Sequence, residues 1–260
     1  MKNVMILFTI FQLVGAVVFS AIQTRDVEYK EGDTTLEGFL AYDDSSAVKR
    51  PGILIVHEWT GLGDYVKSRA KELAGMGYVA FGADIYGKGI RPQNPKDAGE
   101  QASKYKNNRK LLRVRVLAGL EELKKDLRVD PAKTAAIGYC FGGTTVLELA
   151  RSGADIQGVV SFHGGLDSPA PEDGKNIKAR VLVLHGAADP FSSPENIRKF
   201  QDELSQAKVD WQMMYYGSAV HSFTNREAGN DPSKGAAYNE KADKRSWAEM
   251  KIFFRELFEK

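Results

Sequence analysis

The side chain with the most chemical potential in this 260-residue chain is its one cysteine, Cys140. It sits in Gly138-Tyr139-Cys140-Phe141-Gly142-Gly143, with a glycine two positions before it and another two after. A Gly-x-nucleophile-x-Gly spacing is what a sharp strand-to-helix turn requires, because the central residue is forced into a strained backbone and a Cβ at either glycine would clash. Such a turn would expose the sulfur at the carboxyl edge of a sheet. It would also set the sulfur at a helix N-terminus, where partial positive charge favours thiolate over thiol. The amide of Phe141, next in the chain, would then face an oxyanion developing on an attacked carbonyl. The bland alternative is a small core cysteine between two turn glycines.

A nucleophile of this kind needs a base, and the base needs a partner that fixes its tautomer. Two downstream strand ends offer them: an apolar run leads into His185-Gly186-Ala187-Ala188-Asp189, and another into Gly217-Ser218-Ala219-Val220-His221. The order Cys140, Asp189, His221 is the nucleophile-acid-histidine order of α/β-hydrolases. Singly, Asp189 before a proline could be a turn former and His221 a loop histidine. His57, His163 and His185 also follow or end strands and are expected to be structural hydrogen-bonders. In His57-Glu58-Trp59-Thr60-Gly61, after the first buried strand, Trp59 is the candidate second oxyanion donor. Glu58 could accept a thiol proton or simply face solvent, and spacing favours neither.

The elements around these residues alternate short apolar runs with amphipathic stretches, which predicts an α/β fold with a mostly parallel central sheet and helices on both faces. Residues 27–30 and 36–41 are expected to form a hairpin, followed by strands at 53–56, 78–83, 134–138, 158–162, 180–184 and 211–216. Asp64 is the expected cap of a helix running to about residue 76. Residues 87–97, with two glycines and two prolines, suggest an irregular loop. A long helix then carries Leu112, Val116, Leu120, Leu123 and Leu127 on one stripe. Further helices are expected at 141–151, 194–206 and 246–259, the last burying Trp247, Met250, Phe254, Leu257 and Phe258. The polar segment 224–245 is expected either to form part of a lid or to be a solvated loop.

Composition narrows the partners. With 36 Lys+Arg against 34 Asp+Glu, mixed along the chain, there is no basic block to follow a phosphate backbone, which argues against nucleic acid. Residues 1–21 suggest a signal peptide, since Lys2 is the only charge before residue 20 and 4–19 is apolar apart from Thr9 and Gln12. Residues 22–260 are then a single α/β-hydrolase domain in a secreted or periplasmic protein, or one anchored to a membrane if the leader is retained. One cysteine allows no intrachain disulfide. A monomer is expected, with oligomers left open.

Taken together, His57-Glu58-Trp59-Thr60-Gly61, Asp84-Ile85-Tyr86-Gly87, the hexapeptide around Cys140, His185-Gly186 with Asp189, and His221-Ser222-Phe223 resemble the dienelactone hydrolase family of α/β-hydrolases. The resemblance covers roughly residues 25 to 258. It implies hydrolysis of an ester or lactone, without metal or organic cofactor, through a thioester on Cys140, with His221 relaying protons and Asp189 orienting it. It also implies that Glu58 pairs with the cysteine at rest and assists its deprotonation. One departure stands out: where the family holds a substrate carboxylate with an arginine shortly after the histidine, this chain has Asn225, with Arg226 one step later. Lys88 and Arg91 are the other candidates for that contact, and the substitution argues against dienelactone itself as substrate. A noncatalytic binder or redox sensor on the same fold is the main competing reading. A thiol protease is disfavoured, because papain-like enzymes carry a different sequence around their cysteine.

Overall fold

Strands rich in Val, Ile and Leu, buried on both faces, can only sit in the middle of a sheet covered on each side. The computed structural model, which describes residues 21–45 and 47–259, has this arrangement. The strands are β1 (Ile22–Glu31), β2 (Thr34–Asp43), β3 (Arg50–Val56), β4 (Val79–Ala83), β5 (Val129–Tyr139), β6 (Gly158–Phe162), β7 (Arg180–Gly186) and β8 (Trp211–Tyr216). They lie in the order β1-β2-β4-β3-β5-β6-β7-β8. β1 and β2 form the expected hairpin, longer than its apolar core, and β2 meets β4 antiparallel; the remaining pairs are parallel. The strand order reverses at β3, whose neighbours are β4 and β5. The loops leaving β3 and β5 therefore open a crevice at the carboxyl edge, the usual ligand position in such sheets.

Six α-helices pack on the two faces of the sheet: α1 (Asp64–Gly75), α2 (Pro95–Lys106), α3 (Arg109–Lys125), α4 (Phe141–Arg151), α5 (Pro194–Gln206) and α6 (Glu240–Phe258). One core joins α2, α3, α4 and α5 to the sheet through residues such as Leu112, Val116, Val146 and Phe200. The other joins α1 and α6 through Val66, Leu73, Met250 and Phe254. Each fully buried side chain of this size contributes roughly 1.5–3 kcal/mol.

The helix α4 that leaves the cysteine is anchored by charge as well as by packing. Arg151 at its end is fully buried, donating to both carboxylate oxygens of Glu203 at 2.8 Å and to Glu148 at 3.0 Å. Arg113 of α3 holds the other Glu148 oxygen.

Several expectations need correction. The single long helix is two, because Asn94 and Asn108 each accept the backbone N–H of the residue three positions on and so start separate helices. α2 begins inside the segment expected to be irregular. Leu127 lies beyond the C-cap of α3 and is 88% exposed, so it is not part of the stripe. Asp64 is the first residue of α1, not its cap; Gly63 holds that position. α6 starts at Glu240 because Asn239 caps it, and the segment 224–245 therefore contains two 3-10 turns, Arg226–Ala228 and Pro232–Lys234, and the first turn of a helix. Residues 1–20, which hold nearly all of the expected leader, lie outside the described residues; among those described, no helix is long and apolar enough to cross a membrane.

Candidate active site

At Cys140 the chain leaves β5 and enters α4 with φ 53° and ψ −113°, a left-sided conformation that only a tightly constrained turn holds in a non-glycine residue. The glycines are steric necessities. A Cβ on Gly138 would lie 2.0 Å from the Gly142 carbonyl oxygen, and one on Gly142 would lie 2.2 Å from that of Val56. The strained residue is fixed by its own N–H, which donates to the Phe162 carbonyl at 3.0 Å and to His163 Nδ1 at 3.1 Å.

Facing the sulfur is His221, with Nε2 3.0 Å from Cys140 Sγ and Nδ1 2.9 Å from Asp189 Oδ2. The bond to the carboxylate requires Nδ1 to carry a proton. Asp189, almost wholly buried, also accepts the Phe191 amide at 2.9 Å, which fixes its rotamer. The His221 backbone is clamped against residues 235–237: its N–H donates to the Gly235 carbonyl and its carbonyl accepts from Ala237. Burial alone would lower the imidazole pKa. Its interactions with Cys140 and Asp189 outweigh burial and push it up to about 10.

The other histidines are uncharged supports. Burial lowers His57 to about 4; its Nε2 accepts the Ile85 amide and its Nδ1 donates to the Glu58 carbonyl, holding the loop after β3. Burial first, and then the charge on His221, drive His163 well below the usual range. With Nδ1 accepting from Cys140, its Nε2 donates to Thr224 Oγ1 at 2.8 Å. His185 is a packing residue, edge-on to Tyr215, and its Nδ1 has no hydrogen-bond partner among the described residues.

Glu58 lies beside this group but not on the sulfur. Its Oε2 accepts from Asn225 Nδ2 at 2.6 Å, and among the described residues it has no hydrogen bond to Cys140. Burial raises its pKa, partly opposed by the Asn225 bond. The amides of Trp59 and Phe141 have no hydrogen-bond partner among the described residues, leaving both able to meet an oxyanion. A cleft of about 350 Å³ opens beside Trp59, walled also by Glu58, Tyr65, Ser222 and Ala236; Cys140, Phe141, Asp189 and His221 are not in its wall. A larger one, about 730 Å³, lies between α5 and the 3-10 turn Pro171–Asn176 and is lined by none of Cys140, Asp189 and His221.

Of the cations considered for a substrate carboxylate, Lys88 is paired with Glu28 and Glu37. Arg91 donates to the carbonyls of Leu62 and Ile90 and lies 3.7 Å from Asp84. The Arg226 guanidinium sits over the Tyr238 ring at 4.8 Å. Asn225 alone of the four reaches the cleft. What spacing did not reveal is a buried support behind the site: Tyr65 donates to Thr224 Oγ1, and Arg69 holds Tyr65, the Thr224 carbonyl and Asp243. Among the described residues, no group of His, Cys, Asp or Glu is gathered to hold a metal ion.

A mostly parallel eight-stranded sheet, helices on both faces and a strained cysteine turn at the switch point define an α/β-hydrolase fold. The chain belongs to the dienelactone hydrolase family, whose model matches residues 36–258. It resembles the solved structure named m3DLH with 40% identity and a TM-score of 0.88, over 92% of this chain and 99% of that one. A dienelactone hydrolase-like promiscuous phosphotriesterase from metagenomic libraries is also 40% identical, with a TM-score of 0.86 over 91% of this chain and 99% of its own. A Bradyrhizobium protein named "Probable 2-oxo-3-(5-oxofuran-2-ylidene)propanoate lactonase" is 26% identical across 90% of this chain and 96% of that one. The chain is accordingly a hydrolase of the lactone and ester type, acting on small molecules.

Proposed function

We propose that this hydrolase cleaves carboxylic esters or lactones with Cys140 as nucleophile, His221 as general acid and base, and Asp189 as the residue that orients His221. The observation that carries the reading is the unbroken contact from sulfur to imidazole to carboxylate, at 3.0 and 2.9 Å. The Cys140 thiolate attacks the carbonyl carbon, and the oxyanion takes hydrogen bonds from the Trp59 and Phe141 amides. Collapse of that intermediate breaks the C–O bond, and the leaving alkoxide takes the Nε2 proton of His221, giving a thioester and a neutral imidazole. The imidazole then removes a proton from water, hydroxide attacks the thioester, and the acid departs as the thiolate and imidazolium are restored.

Glu58, with Oε2 bonded to Asn225, is assigned to assist deprotonation of Cys140 when substrate enters. The apolar, nearly uncharged run at residues 4–19 supports export of the protein, and N-terminal sequencing of the mature chain would test that. For the mechanism, Cys140→Ala should abolish turnover of a small aryl ester while near-UV circular dichroism stays native. Undiminished turnover would exclude the cysteine route.

A further inference from the structure

The cleft between the loop that carries Trp59 and the segment that follows His221 has a charge pattern of one sign. Its wall includes the carboxyl groups of Glu58, Asp64 and Glu227 and the rings of Trp59 and Tyr65, but no lysine or arginine. Glu58 is more than nine-tenths buried, and with Oε2 bonded to Asn225 its Oε1 has no protein partner among the described residues. Trp59 is partly exposed at the mouth, and Phe191, exposed and edge-on to His221 at 5.2 Å, adds a second ring near the imidazole.

The cations around the cleft are committed elsewhere. Arg69 is bound to Asp243 and Glu72, Arg226 is drawn over Tyr238, and Arg91, packed against Gly61, is fixed by the carbonyls of Leu62 and Ile90 and is not in the wall. His221 is engaged on one ring nitrogen by the buried Asp189 carboxylate and on the other by the Cys140 sulfur. A substrate carboxylate entering here would meet the carboxyl groups of Asp64 and Glu227 and no lysine or arginine in the wall. A quaternary ammonium would meet carboxylates and aromatic faces, the surroundings that recognise such groups.

We infer that the cleft selects esters carrying positive charge over esters carrying a carboxylate, with uncharged esters between them. This rests on the hydrolase reading above and names the substrate class of that same site.

The test uses the whole protein and matched p-nitrophenyl esters whose acyl chains end in a methyl, a trimethylammonium or a carboxylate group, each rate corrected for spontaneous hydrolysis. Expected is a kcat/KM at least about 10-fold higher for the trimethylammonium than for the carboxylate ester at low ionic strength, shrinking as salt is added. The ratio of the two should fall in Glu227→Gln and fall further in Glu227→Lys. If the uncharged ester is hydrolysed but the carboxylate ester is turned over as fast as the trimethylammonium ester or faster, the charge preference is overturned and the hydrolase reading stands. If none of the three is hydrolysed, both are overturned.

Discussion

Removing the sulfur of Cys140 should change the ionisation of an imidazole that is itself left intact. His221 stands at about 10 against an ordinary 6.5, a difference on the order of 5 kcal/mol in favour of the charged ring. Burial works against that charge, which is sustained by Cys140, whose Sγ lies 3.0 Å from Nε2, and by Asp189 on Nδ1. In Cys140→Ala the first of these is lost and the second remains, and the midpoint should fall by roughly 1 to 3 pH units, the usual effect of one close opposite charge. Because the folded-state value is raised, the stabilisation is complete below pH 6.5 and is lost as pH rises through about 10. The stability gap between native protein and variant should therefore close on the alkaline side. The assay is a carbon-detected NMR titration of the His221 ring in both proteins, paired with urea unfolding at neutral and at alkaline pH. A native midpoint near 6.5, or one that Cys140→Ala leaves unmoved, would refute the coupling of sulfur and imidazole on which the proposed reaction depends.

Other perturbations probe separate parts of the structure. Asp189→Asn keeps the shape but removes the carboxylate that orients His221, and kcat should drop by roughly 10⁴-fold in a steady-state ester assay while the melting temperature moves little. Gly142→Ala would drive a methyl to 2.2 Å from the Val56 carbonyl oxygen, so the variant should be destabilised by about 3 kcal/mol or more by denaturant titration, or fail to accumulate. Arg151→Met leaves the buried Glu203 without its guanidinium and Glu148 with only Arg113 and Arg109, which should cost about 3–5 kcal/mol at neutral pH; an unchanged urea midpoint would show that the network is not what anchors α4.

The positions of the sheet strands and of the three residues at its rim could be read from local pattern, because each is announced by its immediate neighbours. Runs such as residues 53–56 and 181–184 suit only a strand covered on both faces, and the glycines around Cys140 mark a turn that admits no side chain at 138 or 142. What escaped that reading depends on distant partners or on competing local signals. Nothing in the sequence near Glu58 announces Asn225, 167 residues away, as its partner, and nothing near Arg69 announces Asp243, 174 residues on. The break at Asn107-Asn108 was hidden because the apolar repeat of α3 masks a cap at its start. Leu127 fits the repeat in number, yet the chain has left the helix one residue earlier at Asp126.

His163 grips the Cys140 amide with one ring nitrogen and the Thr224 hydroxyl with the other. A single buried ring is thus a strut between the turn that holds the nucleophile and the segment that carries its base. Tyr65 and Arg69 of α1 bond the same Thr224, so α1 is tied to this strut as well. The spacing of the two reacting atoms is inherited from the interior of the molecule as well as from the backbone clamp at residues 235–237.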